Sequence, residues 1–237
     1  MIGNVMSKIL GQENMHAERM ARFREAGLYL VTSQALSGGR TTVEIVAAAL
    51  AGGVRLIQLR EKEMPLREYV ALAGRIRALT AEHGALLIIN DRVDVALAVG
   101  ADGVHLGQDD FPIPEARKLG PDLVIGASTH SIEEAVRAQV EGASYVNIGP
   151  LFPTGTKRWE GEFLGVEGMR RIAAHVQVPF SVMGGIKREH IPELVAAGAR
   201  TIALVTAVTA AAHPEAAARE LIEGIRGGGW DKPLKTL

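Results

Sequence analysis

Two acidic residues at the ends of neighbouring apolar runs suggest chemistry first. In residues 88–110, IINDRVDVALAVGADGVHLGQDD, one apolar run breaks into Asn90-Asp91 and a second breaks into Gln108-Asp109-Asp110. The intervening VDVALAVGA has the apolar spacing of a short helix closed by Gly100, so the stretch reads strand, helix, strand with acids at corresponding ends. Asp91 and Asp110 are thereby placed to share one divalent ion. Each half has a plainer reading too: Asn90-Asp91 could cap the helix that follows, and Asp109-Asp110 before Pro112 suits a turn.

Bringing such ends together takes a regular scaffold. Residues 1–26 read as an N-terminal extension ending in an amphipathic helix, with Met15, Ala17, Met20 and Phe23 on one apolar side and packing as its expected role. The first strand spans Gly27–Thr32. Thr42 is expected to cap a helix to Ala51, a second strand covers Val54–Leu59, and Pro65 opens a helix to Glu82 that Gly84 stops. Strands three and four are Leu86–Ile89 and Gly103–Leu106. A short helix reaches Lys118 after Pro112 and Pro114, and then come strand five (Leu123–Ala127), helix Ile132–Glu141 and strand six (Tyr145–Ile148). The loop GPLFPTGTKRWEGEFLG, residues 149–165, precedes helix Val166–His175, strand seven (Pro179–Met183), helix Glu189–Ala197, strand eight (Thr201–Val205) and a last helix, Pro214–Ile225. Residues 227–237 form an expected flexible tail.

An internal repeat supports eight units. Gly52-Gly-Val-Arg-Leu, Gly100-Ala-Asp-Gly-Val, Gly142-Ala-Ser-Tyr-Val and Gly198-Ala-Arg-Thr-Ile each end a helix and begin an even-numbered strand, the first glycine supplying the left-handed residue after the helix. Eight strands alternating with helices on a twofold repeat argue for a single α/β domain, a (β/α)8 TIM barrel over residues 27–226, with a doubly wound open sheet as the structural alternative. In such a barrel the chemistry sits at the C-terminal ends of the strands. Those ends carry Gln58, Arg60 and Lys62 after strand two, Asn90 and Asp91 after three, Asp110 beyond four and Ser128 after five. Thr154, Thr156 and Lys157 lie in loop six, and Gly184-Gly185 and Val205-Thr206 follow strands seven and eight, where barrels commonly bind phosphate through backbone N–H groups. Cations, hydroxyls and two acids suit a highly phosphorylated substrate held through Mg²⁺, because that hard ion takes a couple of carboxylates and leaves its other positions to water and phosphate oxygens. Read singly, the same residues suit a solvated strand fringe, a polar loop or a tight turn. His105 reads as a core or supporting histidine, and His130 as either an acid/base group or a helix-start packing residue.

Composition narrows the class. The 237 residues carry 26 Lys+Arg against 27 Asp+Glu, with 47% hydrophobic and 4% aromatic residues, so the core is aliphatic and no basic patch points to nucleic acid or an anionic membrane. Cysteine is absent, which removes disulfides and thiolate metal sites. No apolar run approaches membrane-spanning length, the N-terminus lacks the uninterrupted apolar core of a signal peptide, and a cytoplasmic location is expected.

The segments GVRLIQLREK, IINDRVDVALAVGADGVHLGQDD, IGASTHSIEEA, NIGPLFPTGTK and the Gly-Gly-Ile turn together resemble the thiamine phosphate synthase family from about Gly27 to Val208. The resemblance implies a barrel transferase, with Mg²⁺ as cofactor, that couples 4-amino-2-methyl-5-hydroxymethylpyrimidine diphosphate to a thiazole phosphate, releasing diphosphate and giving thiamine phosphate. Carried over by position, Gln58, Arg60, Lys62, Asn90, Ser128 and Lys157 would hold the pyrimidine diphosphate, with Arg60, Lys62, Ser128 and Lys157 as catalytic groups. Thr154, Gly155, Thr156, Gly185, Val205 and Thr206 would meet the thiazole phosphate, and Asp91 and Asp110 the metal. The partners implied are small phosphorylated molecules, with a homo-oligomer left open. Loop six, crossed by Phe152 and Trp159, would be a lid. Its Arg158–Leu164 segment departs from the family's usual run, and Val205-Thr206-Ala stands where a serine-containing form is usual. Two alternatives remain: a thiazole tautomerase, for which His130 would shuttle protons, and a non-catalytic phosphate-binding barrel.

Overall fold

Short apolar runs buried on both faces make parallel strands when helices cover one side and other strands the second. In the computed structural model, which describes residues 15–155 and 160–227, these runs are β1 (Leu28–Val31), β2 (Leu56–Leu59), β3 (Leu86–Asn90), β4 (Gly103–Leu106), β5 (Val124–Thr129), β6 (Tyr145–Ile148), β7 (Phe180–Val182) and β8 (Thr201–Leu204). All pair in parallel in chain order, and β8 closes onto β1 with Ile202 opposite Leu28. The fold is the closed (β/α)8 barrel expected, and the open sheet is excluded. Around it lie α2 (Thr42–Ala51), α3 (Leu66–Glu82), α4 (Val93–Val99), α5 (Ile113–Leu119), α6 (Ile132–Val140), α7 (Gly165–Ala173) and α8 (Ile191–Ala196). After β8 come the short α9 (Thr206–Thr209) and then α10 (Pro214–Gly227), which packs on α2, α8 and β1. Among the described residues no helix is long and apolar enough to cross a membrane.

Alternation along each strand divides the core. Leu28, Leu30, Ile57, Leu87 and Val146 face the helices, while Tyr29, Val31, Leu56, Ile88 and Tyr145 fill the barrel. Tyr145 is too large for an ordinary barrel layer, and Gly126 on the adjoining strand makes the space: a Cβ there would stand 2.1 Å from the Tyr145 ring. The N-terminal helix α1, residues 15–25, closes the bottom of the barrel. Its Phe23 is fully buried, 4.3 Å from the Tyr145 ring centre, and its Met20 joins the same interior cluster. Polar contacts hold it there. Arg19 pairs with Asp102 at 3.4 Å and Asp122 at 2.7 Å, Arg77 meets Asp102 from α3 at 3.1 Å, and His16 reaches Ser144 Oγ at 2.9 Å. The buried Asp102 carboxylate also accepts the Leu87 N–H, so its charge is compensated on several sides. The expected packing role of this helix is thus the role the contacts describe.

Local details differ from the sequence reading. The N-cap of α2 is Thr41, not Thr42: the Thr41 hydroxyl accepts the Glu44 N–H while the Glu44 carboxylate takes the Thr41 N–H, a capping box that the neighbouring Thr42 cannot form from inside the helix. In the first repeat the left-handed residue is Gly53 (φ +99°), whereas Gly52 is right-handed and lies flush against Glu215 and Ala218 of α10. Gly53, Gly100, Gly142 and Gly198 each stand three residues before a strand. The following N–H bonds back to the helix, as from Val54 to Ala49 O and from Ala101 to Ala96 O. Gly84 and Ala85 repeat the joint before β3, so it is not confined to even-numbered strands. The 3₁₀ turn Gln34–Leu36 and α9 were not anticipated.

Candidate active site

The C-terminal strand ends surround a cleft of about 560 Å³. Every expected site residue within the described segments lines it: Gln58, Arg60 and Lys62 from the end of β2, Asn90 and Asp91 from β3, Asp110 from the loop after β4, Ser128 from β5, Thr154 and Gly155 from loop six, Gly185 after β7, and Val205 and Thr206 after β8. Thr156 and Lys157 lie outside the described residues, as does Trp159.

The acids sit on constrained backbone. Asp91 has φ +62°, a left-handed conformation costly for a residue with a Cβ, and the Arg92 N–H returns to Asn90 O across it in a three-residue turn. The Asp91 N–H is fixed to His105 O at 2.8 Å. The helix-capping alternative for Asn90-Asp91 does not hold, because the N-cap of α4 is Arg92 and no side chain caps it. Asp110 does make the turn suggested for it, its carboxylate accepting the Gly107 N–H at 2.6 Å, and it still faces the cleft. Burial, and then the adjacent Asp110 carboxyl, hold the Asp91 pKa above the usual carboxylate range, against the pull of Lys62 with its Nζ 3.6 Å away. Two carboxyl groups held side by side gain from a shared cation, and their hard oxygens fit Mg²⁺. No group of three or more His, Cys, Asp or Glu gathers as a metal site among the described residues, so such an ion would draw its remaining ligands from water and substrate.

Beneath them runs a buried hydrogen-bonded chain. Gln58 Nε2 donates to the Tyr29 hydroxyl at 2.7 Å, Tyr29 and Tyr145 hydroxyls meet at 2.8 Å, and the His105 ring bridges Tyr145 Oη and Ser128 Oγ at 2.9 Å on each side. His105 is thus the supporting histidine expected. Burial lowers its pKa to about 4, with Asp110 acting weakly in the opposite sense. His130 also lines the cleft, but its Nδ1 and its backbone N–H both meet the Glu134 carboxylate at the start of α6, which is the helix-start role.

Loop six is laid along the end of β7. The Leu151 and Phe152 N–H groups donate to Met183 O and Gly184 O at 3.0 Å each, and a Cβ on Gly185, whose φ is +62°, would stand 2.3 Å from Pro153 O. Glycine is required at 185 for both conformation and space.

Comparison with known proteins gives this cleft a context. The family model described as thiamine monophosphate synthase matches residues 28–208, well over half of the chain. The chain belongs to the thiamine monophosphate synthase family. It is 49% identical over 197 residues to a thiamine-phosphate synthase of Moorella thermoacetica, covering 83% of this chain and 94% of that protein. To a thiamine-phosphate synthase of Shouchella clausii it is 44% identical over 196 residues, covering 82% and 94%. Among solved structures, a thiamine phosphate pyrophosphorylase from Pyrococcus furiosus superposes with a TM-score of 0.80 at 39% identity, covering 88% of this chain and 98% of that one. The family match begins at Leu28, so α1 lies outside it.

Several cleft residues escaped the sequence reading. Lys187 and Leu36 line it, as do Asn147 and Met183. Asn147 had a signal: it is the one polar residue of YVNI and shares strand parity with Tyr145, which places both inside the barrel. Lys187 had none beyond its position after the Gly-Gly turn.

Proposed function

We propose that this chain is a thiamine-phosphate synthase whose cleft joins 4-amino-2-methyl-5-hydroxymethylpyrimidine diphosphate to a thiazole phosphate. The observation that carries the reading is the convergence, in a chain of this family, of cations, two carboxylates and hydroxyls on a single barrel mouth. The C–O bond to diphosphate breaks first, leaving a methylene cation stabilised by the pyrimidine, and the thiazole nitrogen lone pair captures it. That nitrogen carries no proton to lose, so no general base is needed.

The quantity to stabilise is the charge gathering on the departing diphosphate. Arg60 and Lys62, with Lys157 from loop six, bind the departing diphosphate, which gains one negative charge as the C–O bond breaks, more strongly than the ester, which lowers the barrier. The Arg60 N–H is anchored to Thr32 Oγ1 at 2.9 Å, which fixes the root of that side chain. Asp91 and Asp110 would hold Mg²⁺, which when bound supplies divalent charge to the diphosphate oxygens. Gln58, Asn90 and Ser128 position the pyrimidine from below. Thr154 and Gly155, with Gly185 and Val205-Thr206, receive the thiazole phosphate, and Thr156 is assigned to it by its place in the sequence.

Two other readings fare less well. A tautomerase acting on thiazole phosphate has no diphosphate to expel and no use for Arg60, Lys62 and the paired acids, and the relatives at 49% and 44% identity are both named as synthases. A non-catalytic barrel would not need a cation-binding pair beside an ammonium. The test is incubation of the protein with both phosphorylated precursors and Mg²⁺, following thiamine phosphate by mass spectrometry and released diphosphate in parallel. Equal amounts of the two products are expected. Absence of coupled product overturns the proposal, and isomerisation of thiazole phosphate alone would select the tautomerase.

A further inference from the structure

Loop six and the turn after β7 meet in three ways. The Leu151 and Phe152 N–H groups pair with Met183 O and Gly184 O. Gly185 lies flush against the loop, where a Cβ would stand 2.3 Å from Pro153 O and 2.5 Å from Phe152 O. The third contact is made by side chains: the rings of Phe152 and His190 stack with centroids 4.0 Å apart and planes 24° from parallel. Both residues are half-buried, and Phe152 also packs on the main apolar core, so its ring is wedged between that core and the imidazole.

The imidazole is itself held in place. His190 ends the 3₁₀ turn Arg188–His190 ahead of α8, and its Nδ1 accepts the Lys187 N–H at 3.1 Å. A backbone N–H can only donate, so Nδ1 carries no hydrogen here and the ring is tied to the turn through it. One residue thus fixes the Lys187 backbone with its edge and offers its face to loop six. His190 does not line the cleft, but the segments it joins do: Thr154 and Gly155 directly past Pro153, and Gly185 and Lys187 in the turn. Arg60, Lys62 and Asn90, assigned to the pyrimidine diphosphate, stand at the ends of β2 and β3 across the closed barrel.

We infer that His190 is a positioning residue for the second substrate: its ring seats loop six on the turn after β7, so that Thr154 and Gly155 stand in a fixed relation to Gly185 and Lys187 before thiazole phosphate binds. The inference rests on the proposed coupling reaction for the identity of that substrate, whereas the seat exists without any ligand. Its two parts can be separated by substitution. His190→Asn places an amide oxygen near the position of Nδ1 and removes the stacking face, His190→Phe keeps the face and removes the acceptor, and His190→Ala removes both.

The experiment measures amide hydrogen exchange by NMR without substrates, and then the kinetics. An aromatic pair is worth up to about tenfold in a local equilibrium, so exchange at Leu151 and Phe152 should quicken by about that factor in His190→Asn and His190→Ala. In His190→Phe those two amides should keep their protection and the Lys187 amide should quicken instead. Phe152→Leu removes the other ring and should act as His190→Asn does, with little further change when the two are combined. Binding to a loop seated only part of the time weakens with the seated fraction, so KM for thiazole phosphate should rise at least about 3-fold in His190→Asn, and return to the unaltered value in His190→Phe. Once bound, the substrate restores the seat, so kcat should stay within about 2-fold, and calorimetric binding of the pyrimidine diphosphate alone should not change. Unchanged exchange at Leu151 and Phe152 in His190→Asn overturns the inference. So does quickened exchange with an unmoved KM for thiazole phosphate, or a loss of affinity shared equally by both substrates. If His190→Ala does not fold, His190→Asn, His190→Phe and Phe152→Leu still decide it. Absence of coupled product from the unaltered protein is a failure of the proposed reaction, and the exchange pattern, with calorimetric affinity for thiazole phosphate in place of KM, then tests the role of His190 by itself.

Discussion

Replacing His105 by glutamine should flatten part of the pH dependence of stability. In the folded chain burial brings the His105 pKa down to about 4 from the ordinary 6.5, opposed only by the more distant Asp110 charge. Between those values the unfolded chain holds a proton that the folded one refuses, so stability rises with pH across the window and is lost as pH falls from about 6.5 towards 4. Each pH unit in that window is worth about 1.4 kcal/mol, and the whole about 3 kcal/mol. Below it both states are protonated and no further loss arises from this residue. The assay is urea unfolding of the unaltered protein and His105→Gln at intervals from about pH 7.5 to about pH 4.5, with the slope of the stability difference as the readout. Other titrating groups, including His16, whose pKa is also lowered chiefly by burial, are common to both proteins and cancel. The difference should close by about 1.4 kcal/mol per unit below pH 6.5. Parallel curves would refute the claim that His105 is held neutral by burial.

Three further outcomes follow from the packing and the charges. Gly126→Ala places a methyl 2.1 Å from the Tyr145 ring and should destabilise by about 1–3 kcal/mol or more, read as a lower urea midpoint; an unchanged midpoint would mean Tyr145 can move aside. Arg60→Ala and Lys62→Met should each lower kcat by about 100-fold with a smaller change in KM, because their interactions strengthen as the diphosphate leaves, and an effect confined to KM would count against that role. Chelation should abolish turnover and added Mg²⁺ restore it, while Asp91→Asn should raise the Mg²⁺ concentration needed for half-maximal activity by at least about 10-fold; full activity in excess chelator would remove the metal from the reaction.

Much of the scaffold was readable because its signals are local. A glycine after a helix, a proline before one and a four-residue apolar run report on neighbours a few residues away, and β4 and β6 fall where the periodicity places them. Boundaries slipped where a distant partner decides. β5 runs on through Ser128 to Thr129 because β6 offers Asn147 and Ile148 to pair with, so Ser128 is held by the ladder and not by a loop. Gly52 looks like the hinge of its repeat, yet its lack of a side chain serves the close approach of α10 more than a hundred residues later.

The sequence by itself determined the fold class, the strand ends that carry cations and acids, and the resemblance that names a reaction. The first two rest on composition and spacing, and the reaction rests on the resemblance alone. Only the tertiary structure decided what those groups stand next to. It makes Asp91 and Asp110 neighbours on left-handed and turn backbone, seats Phe23 of α1 under Tyr145, and strings Gln58, Tyr29, Tyr145, His105 and Ser128 into one hydrogen-bonded chain. Those five residues come from five strands, and no periodicity within a single strand encodes which of them meet. Barrel closure brings their inward faces together and excludes water from between them.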